Sequence, residues 1–281
     1  MGYSSVFIDK YTSFDIIKYN GLHRKSIFLI MDEKELIKKR FFELADRSYS
    51  KGQFTFTQFL GMADLSYFYE EKRKLDFAFT TVFGGYEGAE RAMVRFGNPD
   101  TFGYEEDFPI DILAIVPLAD KFADDLTHRD FLGALMSLGI ERSLLGDIIV
   151  TGKKAYLFCM NRISDYIIEN LISVKHTTVS VRKAEADDIC EIPKGFDKEK
   201  IIQVASERID AVIAKVYNLS RSIASEYFAK EKVFVNGRLT ENTSLNLKQG
   251  DIVTVRGFGR FKLSEILGTS KKGKLSVQVR Y

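Results

Sequence analysis

The chain of 281 residues is 45% hydrophobic and 28% charged, with 41 Lys+Arg against 39 Asp+Glu, 20 Gly and 4 Pro. This is an ordinary globular composition at a length suited to two domains or three small ones, and it excludes a mainly disordered, collagen-like or low-complexity chain. No run of about 18 apolar residues occurs, so a membrane-spanning helix is not expected; Cys159 and Cys190 form no CxxC, and His23, His128 and His176 lie far apart with no HExxH, which argues against a disulfide framework, a zinc ribbon and a metal site.

Residues 1–30 hold Tyr3, Phe7, Ile8, Tyr11, Phe14, Ile16, Ile17 and Tyr19 without helical or alternating order. The apolar stretch 26–30 is too short for a signal-peptide core and no small-residue cleavage site follows. The segment reads as a peripheral extension, with a packed N-terminal element as the alternative. The lack of a secretory leader and of disulfide pressure points to the cytoplasm.

From 32 to about 69 the pattern is helical, with Leu36, Ile37, Phe41 and Leu44 spaced to share an apolar face and Lys38, Lys39 and Arg40 largely off it. Gly52 ends that helix, and Thr57 reads as the N-cap of a second one containing Phe59, Leu60 and Met62. The run 75–83 reads as a strand and 87–96 as a helix, joined at Gly84-Gly85. A glycine pair in that position invites a nucleotide-binding reading. The spacing is not GxGxxG, however, and no Walker GK[ST] follows, so a tight turn accounts for it better.

Between 107 and 182 the order of elements is more informative. Strand 110–116, stopped by Pro117, precedes helix 129–138. Strands 147–151 and 155–160 form a hairpin through Gly152-Lys153-Lys154, and helix 163–171 and strand 177–181 follow. The order β-α-β-β-α-β is the split-βαβ arrangement of ferredoxin-like domains, to which RNA-recognition motifs belong. Only Tyr156 and Phe158 share a face of the third strand, a poor aromatic signature. A second RNA or ribosome contact is assigned here to His128, Arg129, Arg142 and Lys153. His128 and Asp130, two apart at a helix start, read as packing and capping groups rather than an acid-base pair. Residues 183–204 lack periodicity, contain Pro193 and Gly195, and read as a linker whose hinge lets the last module swing.

The near-neutral total hides a split. Residues 206–281 carry 14 Lys+Arg against 7 Asp+Glu, net +7, while the other 205 residues carry 27 against 32. Such asymmetry suggests a polyanion-binding module on a more neutral body. Ile209, Val212, Ile213 and Val216 mark a helix over 206–218, from which Arg208 and Lys215 project within about 20° of each other. Ser220 reads as the N-cap of a second helix. Arg221 in its first turn opposes the dipole, and with the free amides it would converge on a phosphate. Val233 and Val235 share a face before the Asn236-Gly237 turn. Read as one continuous strand, 250–262 puts Val253, Val255 and Phe261 on one side. Thr254, Arg256, Phe258, Arg260 and Lys262 take the other, offering cations for phosphates and a ring for stacking; Gly257 and Gly259 introduce a bulge in the alternative reading. The expected RNA-binding set is Arg208, Lys215, Ser220, Arg221, Lys230, Asn236, Arg256, Phe258, Arg260 and Lys262.

Four blocks, Glu207-Arg208-Ile209-Asp210, Ser220-Arg221-Ser222, Val233-Phe234-Val235-Asn236-Gly237 and Gly250-Asp251-Ile252-Val253, make 206–262 resemble an S4 RNA-binding module. From about Met31 onward the chain resembles the bacterial YlmH family. That resemblance is carried by Phe83-Gly84-Gly85-Tyr86, Thr127-His128-Arg129-Asp130-Phe131-Leu132-Gly133-Ala134-Leu135, Gly139-Ile140, Gly146-Asp147-Ile148-Ile149 and Arg256-Gly257-Phe258-Gly259-Arg260-Phe261. It implies a multidomain α+β protein: an extension over 1–30, an N-terminal α+β domain over 31–98, a ferredoxin-like (RRM-like) middle domain over 107–182, a linker over 183–204 and an S4 (αL-like) domain over 205–270. It further implies a cytoplasmic protein, monomeric off the ribosome, that binds ribosomal RNA or tRNA on the large subunit and acts in quality control of stalled nascent chains, with a link to cell division.

The residues themselves leave three classes of function. A non-catalytic RNA adaptor, without cofactor or membrane contact, fits best. An RNA-modifying enzyme lacks its motifs: the one RLD-like sequence, Arg208-Ile209-Asp210, lies in the S4-like helix, and no synthetase or methyltransferase signature is visible. A protein–protein scaffold for the division machinery is the third class.

Overall fold

In the computed structural model, which describes residues 33–119, 121, 123–192, 195–196, 198–269 and 273–281, the chain opens with α1 (Glu33–Lys51). The expectation for 1–30 lies outside the described residues. α1 buries Phe41, Leu44, Ala45 and Ser48, the i, i+3, i+4, i+7 stripe of an amphipathic helix. Leu36 is 52% exposed instead of sharing that face. At 100° per residue it sits about 130° round the helix from the centre of the stripe.

β1 (Thr55–Phe56), α2 (Met62–Glu71), a 3-10 turn (Lys72–Ala78), β2 (Thr80–Phe83), β3 (Met93–Phe96) and α3 (Pro99–Phe102) follow. The strands form an antiparallel sheet in the order β1-β3-β2. Three expectations need correction. Of the strand expected over 75–83, residues 75–78 belong to the 3-10 turn and only 80–83 form β2. Thr57 is not a helix cap: it is extended, its N–H donates to Val94 O and its Oγ1 accepts from Val94 N, both at 2.9 Å. α2 starts later, capped at Gly61. The helix expected over 87–96 is a turn followed by β3, all four residues of which are buried. A strand covered on both faces loses its alternation, so periodicity alone cannot separate it from a buried helix.

The middle part contains β4 (Ile110–Pro117), α4 (His128–Ser137), β5 (Leu145–Thr151), β6 (Lys154–Met160), α5 (Ser164–Asn170), β7 (Ser173–Val174) and β8 (Thr177–Lys183). The sheet order β5-β6-β4-β8-β7, antiparallel throughout, puts the first and third long strands at the centre, as a split-βαβ unit requires. α4 begins where Thr127 N and Oγ1 each donate to Asp130 Oδ2 at 2.8 Å. Lys175 and Thr127 together hold that carboxyl down at about 2.

Alternation along β4 and β6 builds two cores. Leu113, Ile115, Leu157 and Cys159 face Phe131 and Leu135 of α4 and Ile167 of α5. Ala114, Tyr156 and Phe158 face the other way, onto Phe59, Met93 and Ile192. Both faces of the sheet are therefore covered. At Gly85 (φ 101°) an added Cβ would run into the Phe158 ring at Cδ1, so the turn between β2 and β3 needs glycine for its conformation and for its approach to that ring.

The segment read as a linker is structured. It contains α6 (Ala186–Glu191) and β9 (Glu199–Val204), and β9 is the outermost strand of the C-terminal sheet, paired with the terminal strand. Only Ile202 and Val204 of β9 face the core, too short an alternation to read from sequence. α7 (Ile209–Val216), α8 (Arg221–Ala229), β10 (Val233–Val235), β11 (Arg238–Leu239), β12 (Ile252–Val255), β13 (Gly259–Thr269) and β14 (Leu275–Arg280) complete the chain. The sheet runs β11-β10-β12-β13-β14-β9, and Val253, Val255, Phe261, Leu263, Val277 and Val279 bury one face against Val212 and Ile213 of α7 and Phe228 of α8.

This tail is seated on the N-terminal part. Leu239 N donates to Ser66 Oγ of α2 at 2.9 Å, and an added Cβ at Gly237 (φ 77°) would run into the Tyr69 ring. The swinging module expected from the linker is replaced by a docked one.

Candidate nucleic-acid interface

Arg208 is the N-cap of α7 rather than a residue within it, so its side chain folds back onto the first turn. Its Nε and Nη2 donate to Asp210 Oδ1 and Oδ2, each at 3.1 Å, and Arg221 Nη2 donates to the same Oδ2. The anion that Arg221 meets at the start of α8 is thus a carboxylate of its own chain. Asp210 is 4% exposed. Burial pushes its carboxyl up, but the hydrogen bonds and charges of Arg208 and Arg221 outweigh that and hold it below the usual carboxylate range. One carboxylate shared by two guanidiniums leaves a net positive charge and fixes both forks, whose side chains are 39% and 54% exposed. Ser220 caps α8 by accepting from Ile223 N at 3.2 Å. Lys215, exposed on α7, borders with Arg221 a cavity that reaches to β9.

The stretch 250–262 is a hairpin, not the continuous strand expected. Arg256, Gly257 and Phe258 form its turn, and Arg260 pairs with Thr254 across it. The turn folds Phe258 back over the helices, its ring 5.1 Å from Tyr217 and 5.2 Å from Tyr227. Arg256 N donates to Lys232 O at 2.9 Å, and its guanidinium lies 5.1 Å over Phe234. Lys230 and Lys232 lie 5.9 and 5.8 Å from the Tyr227 ring. Lys230 is also paired with Glu226 at 2.9 Å. Cations and rings therefore do meet at this tip. Lys232 and Tyr227 were missed from sequence, where the only signal was their closeness to Lys230.

Other expected residues stand elsewhere. Asn236 is consumed by its turn, donating to Asp251 Oδ1 at 2.8 Å and accepting from Ile252 N at 2.9 Å. Arg260 is enclosed at the junction with the body, its guanidinium 5.1 Å over Phe196 and against Gly88 and Gly195. Lys262 lies on the sheet face away from the helices, beside Ser264, Gln278 and Arg280. In the middle part, Arg142 turns inward, donating to Leu145 O at 3.1 Å and Gly146 O at 3.0 Å; burial and then the charge of Arg91 bring its guanidinium down to about 10. Burial and Arg142 lower the His128 imidazole. Arg129 is exposed, and Lys153 sits in the β5–β6 turn. Tyr156 and Phe158, which would stack bases in an RNA-recognition motif, are fully buried, with Tyr156 Oη donating to Glu191 at 2.6 Å and Phe158 against Tyr86.

Residues 91, 142 and 147 join the first two parts. Arg91 donates to Leu145 O at 2.8 Å, Phe59 O at 2.9 Å and Arg142 O at 3.1 Å. Asp147 accepts from Tyr86 Oη, Glu90 N and Arg91 N at 2.9, 2.7 and 3.1 Å.

Fold and surface define a multidomain α+β protein whose C-terminal helices and hairpin tip carry Arg208, Lys215, Arg221, Lys232 and Arg256. Residues 104–188 match the family model described as "Putative RNA-binding domain in YlmH". The chain is 32% identical over 194 residues to the "Ribosome-associated protein quality control protein P2" of Bacillus subtilis (strain 168), covering 69% of this chain and 74% of that one. It belongs to the YlmH family. A solved structure, "Cell division protein ylmH from Streptococcus pneumoniae", aligns with a TM-score of 0.45 at 20% identity, over 60% of this chain and 98% of that one.

Proposed function

We propose that this chain is a non-catalytic RNA-binding protein of the ribosome, whose tail acts as an S4-type module gripping phosphates. The observation that carries the reading is the pinned pair Arg208 and Arg221 on Asp210, with Lys215 beside it. Guanidiniums already held in place lose little side-chain freedom when a phosphate arrives, and their forks match its oxygens. Lys232 and Arg256 at the hairpin tip add further cations, with Phe258 and Tyr227 as rings for stacking. The relative's role in ribosome-associated quality control and the RNA-binding description of residues 104–188 support the same partner. In this reading the RNA is ribosomal RNA or tRNA of the large subunit, the setting is a stalled nascent chain in the cytoplasm, and the middle part binds through outward groups such as Arg129, not through a stacking sheet.

About five phosphates neutralised by Arg208, Lys215, Arg221, Lys232 and Arg256 give a log–log salt slope of about −4. The double variant Lys215→Ala/Arg221→Ala should flatten that slope by about 2 and weaken RNA binding and ribosome co-sedimentation across sequences. Unchanged slope and co-sedimentation would refute the assignment.

A further inference from the structure

β9 is the outermost strand of the C-terminal sheet. Just before it, Lys198 and Tyr281 exchange both backbone hydrogen bonds, Lys198 N to Tyr281 O at 3.1 Å and Tyr281 N to Lys198 O at 2.9 Å. In an antiparallel ladder such pairs alternate, so Lys200, Ile202 and Val204 bond inward to β14. The backbone N–H and C=O of Glu199, Ile201 and Gln203 then point outward, without a partner among the described residues. At the Gln203 end lies a cavity of about 210 Å³ between β9 and the two helices. Its floor is made of small or aliphatic groups, Ala211 and Ala214 of α7 and Leu219, and its rim carries Lys215 and Arg221.

We propose that this cavity receives one unpaired nucleobase of the bound RNA. The inference rests on the phosphate-binding role given above to Lys215 and Arg221, and adds the class of RNA: a strand with a base out of its stack. The alanine floor takes the flat face of a base. The outward backbone N–H and C=O of Gln203 supply the donor and acceptor that a base edge needs when it is flipped from a helix. The rim cations stand where that nucleotide's own phosphate falls. At about 210 Å³ the space is below the range of roughly 300–1,000 Å³ usual for drug-sized ligands, which suits a single ring system. An extended peptide adding to β9 would use the whole outward edge from Glu199 to Gln203 and would leave the cavity and its cations, confined to the C-terminal end, without a role.

The test is fluorescence anisotropy of the full chain with three labelled RNA stem-loops: fully paired, with one bulged adenosine, and with that bulge made abasic. The bulged RNA should bind about tenfold tighter than the other two, the scale of one good base contact. Ala211→Leu, which fills the cavity, and Gln203→Pro, which removes an outward N–H at a sheet edge where proline is tolerated, should each abolish that preference and leave the paired stem's affinity unchanged. Thermal melts check that both variants fold, and retention of the preference by both folded variants would overturn the pocket. Equal binding of all three RNAs would overturn it too while leaving the phosphate grip standing. Failure to bind any of them would remove the RNA reading as well. Tight binding of an acidic β-strand peptide that Gln203→Pro abolishes, with no preference among the RNAs, would assign the edge to a protein partner instead.

Discussion

Replacing Asp210 by Asn tests the pinned pair directly. The carboxylate is 4% exposed and accepts from Arg208, Arg221 and Ala211 N. Each charge-assisted bond is worth roughly 1.5–3 kcal/mol when buried, yet both arginines are partly exposed and regain water in the variant, which discounts the loss. Asn keeps the oxygen that accepts from Ala211. The net destabilisation should be about 2 kcal/mol at neutral pH, or a fall of about 5 °C in melting temperature. The sign with pH follows from the lowered carboxyl. Its stabilisation is complete above the unfolded value near 3.9 and fades as pH falls through the folded value, so wild type and variant should converge in acid. Urea denaturation followed by circular dichroism at several pH values reads this, and hydrogen exchange of the α7 amides locates it. RNA binding should weaken despite the gain in net charge, because the guanidiniums lose their anchor. Equal stability at neutral pH, a gap that persists in acid, or tighter RNA binding would each refute the reasoning.

Gly85→Ala should destabilise by about 2–4 kcal/mol, since it sets a methyl group against Phe158 at a positive φ; thermal melting checks it. Gly237→Ala should loosen the tail from α2 without unfolding the C-terminal sheet, seen as faster proteolysis and hydrogen exchange in the β10–β11 hairpin but not in β13. Phe258→Ala, which removes contacts to Tyr217 and Tyr227, should cost about 1–2 kcal/mol in a urea titration and lower affinity for single-stranded RNA more than for duplex.

The middle part was the most legible in the sequence because its cues are local: the Gly152 hairpin, Asp130 as a capping group at a helix start and the Ile167 face each appear in the structure. β3 was misread because it is buried all round. The 250–262 stretch was misread because alternation says nothing about where a chain reverses, and the reversal at Gly257 looked like a bulge. Among the site residues, the Ser220 cap was visible for the same local reason. That Arg208 and Arg221 share Asp210 was not, since 11 positions and a helix–helix turn separate Arg221 from its carboxylate. The enclosure of Arg260 and the burial of Tyr156 and Phe158 depend on surfaces from distant parts of the chain, which no window of sequence contains.

The seating of the tail on α2 changes how selective such a protein can be. A module on a loose tether would accept partners at many separations and surrender its tumbling each time one is caught. Here the tail is already docked in the folded chain, so under the proposed RNA reading the distance from the tail's cations to the outer groups of the middle part would work as a fixed caliper: an RNA whose two grips did not match the gap would have to bend, or let one go.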